Sequence, residues 1–239
     1  TTEIYTLSLH DALPICDVQT INDFRTTISD HPAIVFELAN IPRTIEATSY
    51  SLDAGGRINF NSNGTSYASV GFRAKIGKTV GIVTAGHAVK LNEVAYIGGT
   101  AVGKCTISKQ GGTADAAFVK TYSNCTPTNY LVGSTYVLST QTSQPGAGTI
   151  INLRGSVSGV KDGVIVSTNA SDTFNGYSYT NLTTATYTST TGDSGGIIYT
   201  YISSKDIRYT VGIHLGRIGN TRYYSKADNV LSTLGASRY

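Results

Sequence analysis

Thr191-Gly192-Asp193-Ser194-Gly195-Gly196 sets one serine among backbone groups able to bind an oxyanion, and the reading of the whole chain turns on it. A serine hydroxyl is a poor nucleophile at neutral pH until a positioned base takes its proton, and a tetrahedral intermediate needs preorganised N–H donors facing its oxygen. Gly192 and Ser194 offer those N–H groups, and the flanking glycines allow tight turns and close approach of a substrate carbonyl. A partner motif stands upstream, Thr84-Ala85-Gly86-His87, at the end of the apolar run Val80-Gly81-Ile82-Val83, where loops carry function. Beyond the N-terminal region the only histidines are His87 and His214, so the choice of base is narrow. The base needs a carboxylate on its other ring nitrogen to fix the tautomer and stabilise the imidazolium. Asp115 suits that task as a lone charge opening the apolar run Ala114 to Val119, whereas Glu93, Asp162 and Asp172 stand among polar residues or in turns. The expected site is therefore His87 as base, Asp115 as its orienting carboxylate, Ser194 as nucleophile, and the Gly192 and Ser194 N–H groups as oxyanion donors. The plain alternative is a Gly-rich turn with an ordinary serine and a strand-end histidine, and it leaves the pairing of the two motifs unexplained.

A chain of 239 residues is long enough for one large all-β domain or two small ones, and 40% hydrophobic content excludes a disordered polymer. Charged residues make up 14%, the net charge is +3, and no Lys/Arg cluster occurs, so neither nucleic acid nor an acidic membrane surface is an expected partner. No apolar run approaches a membrane span. Sixteen tyrosines, abundant Thr, Ser and Gly, and no Met or Trp suit an extracellular β protein. From Asp53 onward, short β-like runs alternate with Gly, Asn, Ser and Asp turns, the rhythm of sandwiches and barrels. Strands are expected over 67–76, 79–85, 93–97, 101–108, 114–122, 149–153, 163–167, 177–188, 196–201, 207–215 and 221–225. Ala227, Val230, Leu231 and Leu234 then recur at helical spacing, which predicts a short C-terminal helix.

The N-terminal region has a different texture. Residues 1–15 resemble a translated sequencing-library adapter and are expected to be non-native, so His10 and Asp11 are left out of any site. Residues 16–52 are expected to be the remnant of a pro-segment, which predicts a zymogen whose mature chain starts near Leu52 to Gly56. Cys105 and Cys125 lie at equal distances from Asp115; a hairpin over residues 102–122 could bring them together as a disulfide, or they could remain two free thiols. The Asn63, Asn124, Asn169 and Asn181 sequons are glycan acceptors only in a eukaryotic source.

The order His87, Asp115, Ser194 with the motifs TAGH and GDSGG resembles the chymotrypsin-like (trypsin-fold) serine proteases, and most of all the compact bacterial branch of streptogrisins, α-lytic protease and glutamyl endopeptidases. Gly55-Gly56 resembles the mature start, Ser69-Val70-Gly71-Phe72 the strand before the histidine, and Tyr224 to Leu231 the family's tail. The resemblance implies an all-β fold of two packed antiparallel six-stranded β-barrels with a short C-terminal helix, over residues 53–239. The N-terminal barrel would span about 53–135 and the C-terminal barrel about 140–239, divided where Gly133, Pro145, Gly146 and Gly148 cluster. It also implies a secreted, monomeric endopeptidase acting on peptide and protein substrates, with no metal or organic cofactor. Two departures stand out. Ala88 replaces the Cys that follows the histidine in many relatives, and residues 66–72 lack its partner. No Ile-Val-Gly-Gly sequence supplies an amine for Asp193, and the internal arginine that does this in the bacterial branch matches Arg154.

By the same resemblance, the segment Thr188-Ser189-Thr190-Thr191 lines the primary specificity pocket, with Thr188, Ser189 and Thr191 as candidate contacts, together with the strand carrying His214 and Arg217. No Asp or Glu stands at its base, which argues against Lys or Arg before the scissile bond. Gly212-Ile213-His214 resembles the glutamyl endopeptidases, in which a histidine and facing hydroxyls receive a Glu or Asp carboxylate; Arg217 adds positive potential at the rim. Protonated His214 would favour the carboxylate while neutral His87 needs higher pH, so a narrow near-neutral optimum is expected. The rival readings are a protease preferring medium apolar residues, with His214 structural, and a catalytically silent binding or adhesion protein on the same fold.

Overall fold

Runs in which β-branched and aromatic residues alternate with polar ones favour extended chain, and strands make up most of residues 49–239, the part described by the computed structural model. The adapter-like segment and the pro-like segment up to residue 48 lie outside the described residues. Eight strands open the fold: β1 (Tyr50–Ala54), β2 (Arg57–Asn59), β3 (Tyr67–Ser69), β4 (Phe72–Ile76), β5 (Thr79–Thr84), β6 (Val94–Ile97), β7 (Thr100–Lys109) and β8 (Ala116–Thr121). Seven of them form one antiparallel sheet in the order β3-β2-β6-β7-β8-β5-β4. β3 and β4 are two halves of the single run expected over 67–76, broken at Val70-Gly71, and they occupy opposite edges of the sheet. The bent strand thereby closes the sheet on itself, and the seven segments are six strands of a barrel.

A link through β9 (Cys125–Leu131), which runs parallel to β1, leads to β10 (Leu138–Thr142) and the second barrel. Its strands are β11 (Ile150–Gly155), β12 (Gly159–Phe174), β13 (Tyr177–Ala185), β14 (Ile197–Ile202), β15 (Ile207–Ile218) and β16 (Thr221–Lys226). β16 pairs with both β13 and β15, so the ring β15-β14-β11-β12-β13-β16 closes with six antiparallel strands, and β10 is added parallel to the outside of β15. The expected double barrel and six-strand count are thus met. Helix α1 (Ala227–Leu234) follows and buries Ala227, Val230 and Leu234. No helix among the described residues is long and apolar enough to cross a membrane.

Each barrel has its own apolar filling, Ile58, Val102 and Val119 in the first and Ile151, Leu153 and Ile165 in the second. A third cluster joins them, with Phe72, Val83 and Phe118 meeting Ile197, Ile213 and Val230. Gly71 lies at this junction. A Cβ on it would fall 2.6 Å from Ile213 Cγ2 and 2.9 Å from the Gly195 carbonyl oxygen, so only glycine allows the bend in the first barrel to touch the second.

The structure decides between the two readings left open for the cysteines. Cys105 and Cys125 are buried free thiols, not a disulfide. Cys105 sits opposite Val119 on β8, while Cys125 begins β9 opposite Tyr50, because the hairpin pairs about a point nearer Gly112 than Asp115. Burial pushes both thiols up to about 11, so they are unreactive at neutral pH.

Overpacking a close-packed junction costs about 1–3 kcal/mol. Gly71→Ala, made in a Ser194→Ala background to prevent self-digestion, is expected to lower unfolding stability by that amount in urea titration; an unchanged midpoint contradicts the account of the junction.

Candidate active site

Both active-site motifs lie where strands run out against the barrel junction. β5 ends at Thr84, and the chain turns through the 3-10 segment Gly86–Ala88, which presents His87. Asp115 immediately precedes β8 and is only 1% exposed. Its Oδ2 lies 2.6 Å from His87 Nδ1, and its Oδ1 accepts the His87 backbone N–H at 2.9 Å. The two bonds fix the imidazole at ring and backbone together. The Asp115 N–H donates to Ser225 Oγ at 3.0 Å, and the Tyr179 hydroxyl approaches Asp115 Oδ1 at 3.4 Å. On the far side of the ring, His87 Nε2 stands 3.0 Å from Ser194 Oγ. The three residues expected from the motifs are therefore assembled in one hydrogen-bonded line. Burial acts to lower the pKa of His87, but the hydrogen bond and the negative charge of Asp115 outweigh it and hold the imidazole above its ordinary value.

Ser194 is held by strands of both barrels. Its carbonyl accepts from the Ser69 N–H at 2.9 Å, the next N–H, of Gly195, donates to the His214 carbonyl at 2.8 Å, and the His214 N–H donates to the Gly196 carbonyl at 2.8 Å. Gly192 and Gly195 have φ of +97° and +80°, in the left-handed region that β-carbons disfavour. The Gly192 carbonyl is clamped by the Ser69 hydroxyl at 2.8 Å and the Ser156 hydroxyl at 3.1 Å.

Asp193 is fully buried, and here the structure overturns an expectation. Arg154 forms no ion pair with it; that guanidinium turns to the β9–β10 link, where Nη2 donates to the Val132 carbonyl at 2.9 Å. Asp193 instead accepts three backbone N–H groups, from Val157 at 3.1 Å, Ser158 at 2.9 Å and Thr190 at 2.8 Å. Such a nest of backbone dipoles satisfies a buried carboxylate without a cation.

A cavity of about 250 Å³ opens beside the nucleophile, lined among others by His87, Ser194, Ser189, Thr191, His214 and Arg217. Thr188 is exposed and is not among the lining residues, whereas Ser189, Thr190 and Thr191 of the same segment are. No carboxylate among the described residues lines the cavity. His214 is 3% exposed, and its Nδ1 lies 2.9 Å from the Tyr187 hydroxyl. Burial lowers its pKa to about 4, which favours the neutral imidazole, so the protonated form that would favour a carboxylate is disfavoured near neutral pH. Arg217 is exposed at the rim and pairs with no carboxylate among the described residues.

No family model matches the chain. Among solved structures, Nocardiopsis protease (NAPase) is 26% identical, with a TM-score of 0.65 over 79% of this chain and 98% of that one. A glutamic-acid-specific serine protease, described as using a histidine triad in substrate binding, is 25% identical, with a TM-score of 0.66 over 78% of this chain and 100% of that one. Thermobifida fusca protease A has a TM-score of 0.67 at 22% identity, over 79% of this chain and 98% of that one, and so speaks for the fold. The fold is that of the bacterial chymotrypsin-like serine proteases. With the Ser-His-Asp line assembled on it, the chain is a serine-type hydrolase of the chymotrypsin-like class.

Ser69, Ser156, Tyr179, Tyr187 and Ser225 were not singled out from the sequence. Serines and tyrosines recur throughout this chain, and only their distance to Gly192, Asp115 or His214 in space sets these apart.

Asp115→Asn removes the charge that holds the His87 pKa up, so the mutant imidazole should titrate below the wild-type one. NMR titration of the His87 ring protons tests this; equal midpoints in the two proteins contradict the assigned cause.

Proposed function

We propose that the chain is a secreted serine endopeptidase that cleaves after Glu or Asp through an acyl-enzyme. The observation that carries the acidic preference is that His214 lines the cavity beside Ser194 together with Ser189, Thr190 and Thr191, with no carboxylate among the lining residues. Likeness to a glutamic-acid-specific protease supports it.

Ser194 Oγ attacks the scissile carbonyl carbon while His87 Nε2 takes its proton. Asp115 keeps the other proton on Nδ1 and stabilises the imidazolium. Charge passes to the carbonyl oxygen, which the Gly192 and Ser194 N–H groups receive. On collapse His87 gives its proton to the departing amine, leaving an ester on Ser194. Water then enters by the same route: His87 takes its proton, and the second tetrahedral intermediate releases the acid and restores the serine. Because neutral His87 is the base, kcat/KM should fall as pH drops below its raised pKa, a limb set by His87 and not by His214.

The roles of Ser194 and His87 predict that Ser194→Ala or His87→Ala remains folded and loses several orders of magnitude in peptidase activity; retained hydrolysis by purified Ser194→Ala contradicts them. A peptide library tests specificity. Loss of a charge-assisted hydrogen bond costs about 1.5–3 kcal/mol, so His214→Ala should lower kcat/KM for Glu peptides about tenfold to hundredfold. The apolar-preference reading draws on the near-complete burial of His214, and a wild-type preference for Leu or Phe over Glu would establish it.

A further inference from the structure

Tyr187 stands between the end of β13 and the nucleophile loop, fully buried in the second barrel with Ile165, Ile198 and Tyr224. Its ring meets that of His214 edge-on, with centroids 5.5 Å apart and planes at 73°. Its hydroxyl makes a single hydrogen bond among the described residues, to His214 Nδ1 at 2.9 Å. A neutral imidazole has one donor and one acceptor nitrogen, and the bond made by one nitrogen decides what the other can do. Were the proton on Nδ1, the hydroxyl could only accept, and its own proton would be buried with no partner, an arrangement that carries the full desolvation penalty. With the lone pair on Nδ1 the phenol donates, both groups are satisfied, and the proton sits on Nε2.

We propose that Tyr187 is the positioning residue for acidic specificity: its hydroxyl donates to Nδ1 and holds His214 as the neutral Nε2–H tautomer, so that a Glu carboxylate is received by a neutral N–H donor and not by an imidazolium. This rests on the glutamyl reading above. The surroundings favour the neutral form. After burial itself, the groups acting on the His214 ring are Asp193, which favours its charge, His87 and Arg222, which oppose it, and the Tyr223 carbonyl, which favours it. Tyr224, opposite His214 on β16, and Tyr187 both have phenol pKa values raised by burial, so neither becomes a phenolate counter-ion at working pH. His87 and His214 are the two histidines among the described residues, so no further described imidazole backs His214.

Two peptides differing only in Glu or Gln before the scissile bond provide the test. The ionisation of His87 is common to both and cancels in the ratio of their kcat/KM values. With a neutral donor the Glu/Gln ratio is flat from about pH 5.5 to 8.5; if an imidazolium is required, it falls about tenfold per pH unit, as the protonated fraction does. Nitrogen-15 NMR of the wild type should show His214 protonated at Nε2. Tyr187→Phe, with folded sites counted by phosphonate titration, should reduce the Glu/Gln ratio about tenfold and lose the fixed tautomer. A steep pH dependence of the ratio, an Nδ1–H tautomer in the wild type, or an unchanged ratio in Tyr187→Phe overturns the proposal. A wild type without any Glu preference overturns the glutamyl reading, and with it the role in specificity, while the Nε2–H tautomer would persist, so the two failures are distinguishable.

Discussion

The backbone around Ser194 is hydrogen-bonded to both barrels at once: the Ser194 carbonyl to Ser69 of the first, and the Gly195 N–H and Gly196 carbonyl to His214 of the second. Everything else at the site depends on that tie. It places the nucleophile within reach of His87, which the first barrel carries, and beside the cavity wall containing His214, which the second carries. It also explains the small residues. Gly71 must let Ile213 approach, and a Cβ on Gly195 would lie 2.3 Å from Thr84 Oγ1. The geometry of the site is thus a property of the packing between barrels, where rigid strands locate groups more closely than a free loop can.

Two histidines share the cavity wall, and their environments move their pKa values in opposite directions. His87 faces a buried carboxylate and is held up; His214 faces a phenol, lies deep in the second barrel and is held down. The first is held toward its protonated form by Asp115 and is the general base of the proposed mechanism, whereas the second is held toward its neutral form. Asp193 follows the same economy of charge. Three backbone N–H groups receive its carboxylate, so the turn from Gly192 to Ser194 is supported by the fold itself and not by a mobile cation.

Much of the fold and the central triad was legible in the sequence because the constraints there are local. A histidine closing an apolar strand, a lone aspartate opening another, and a serine between glycines are each visible within a few residues. Strands with alternating apolar residues, such as β5 and β8, were likewise visible. The strands β1, β2, β9 and β10 were not, since β2 has three residues, β9 contains Pro127, and β10 is Leu138-Ser-Thr-Gln-Thr142, a polar strand held by its neighbour β15. Pairings made across space were the least legible. Cys105 and Cys125 are symmetric in sequence about Asp115 but not in hairpin register, and Arg154 lies close to Asp193 along the fold yet points elsewhere. Tyr187 carries no local mark that separates it from the other tyrosines.

Labelling with a peptidyl phosphonate ester tests the central claim most directly, because phosphonylation needs the same nucleophile, base and oxyanion donors as acyl transfer. The account predicts one adduct per chain, on Ser194, formed at a rate that rises with pH through the NMR-measured pKa of His87 and lost in His87→Ala. An adduct on another residue, or a rate indifferent to His87, would contradict it.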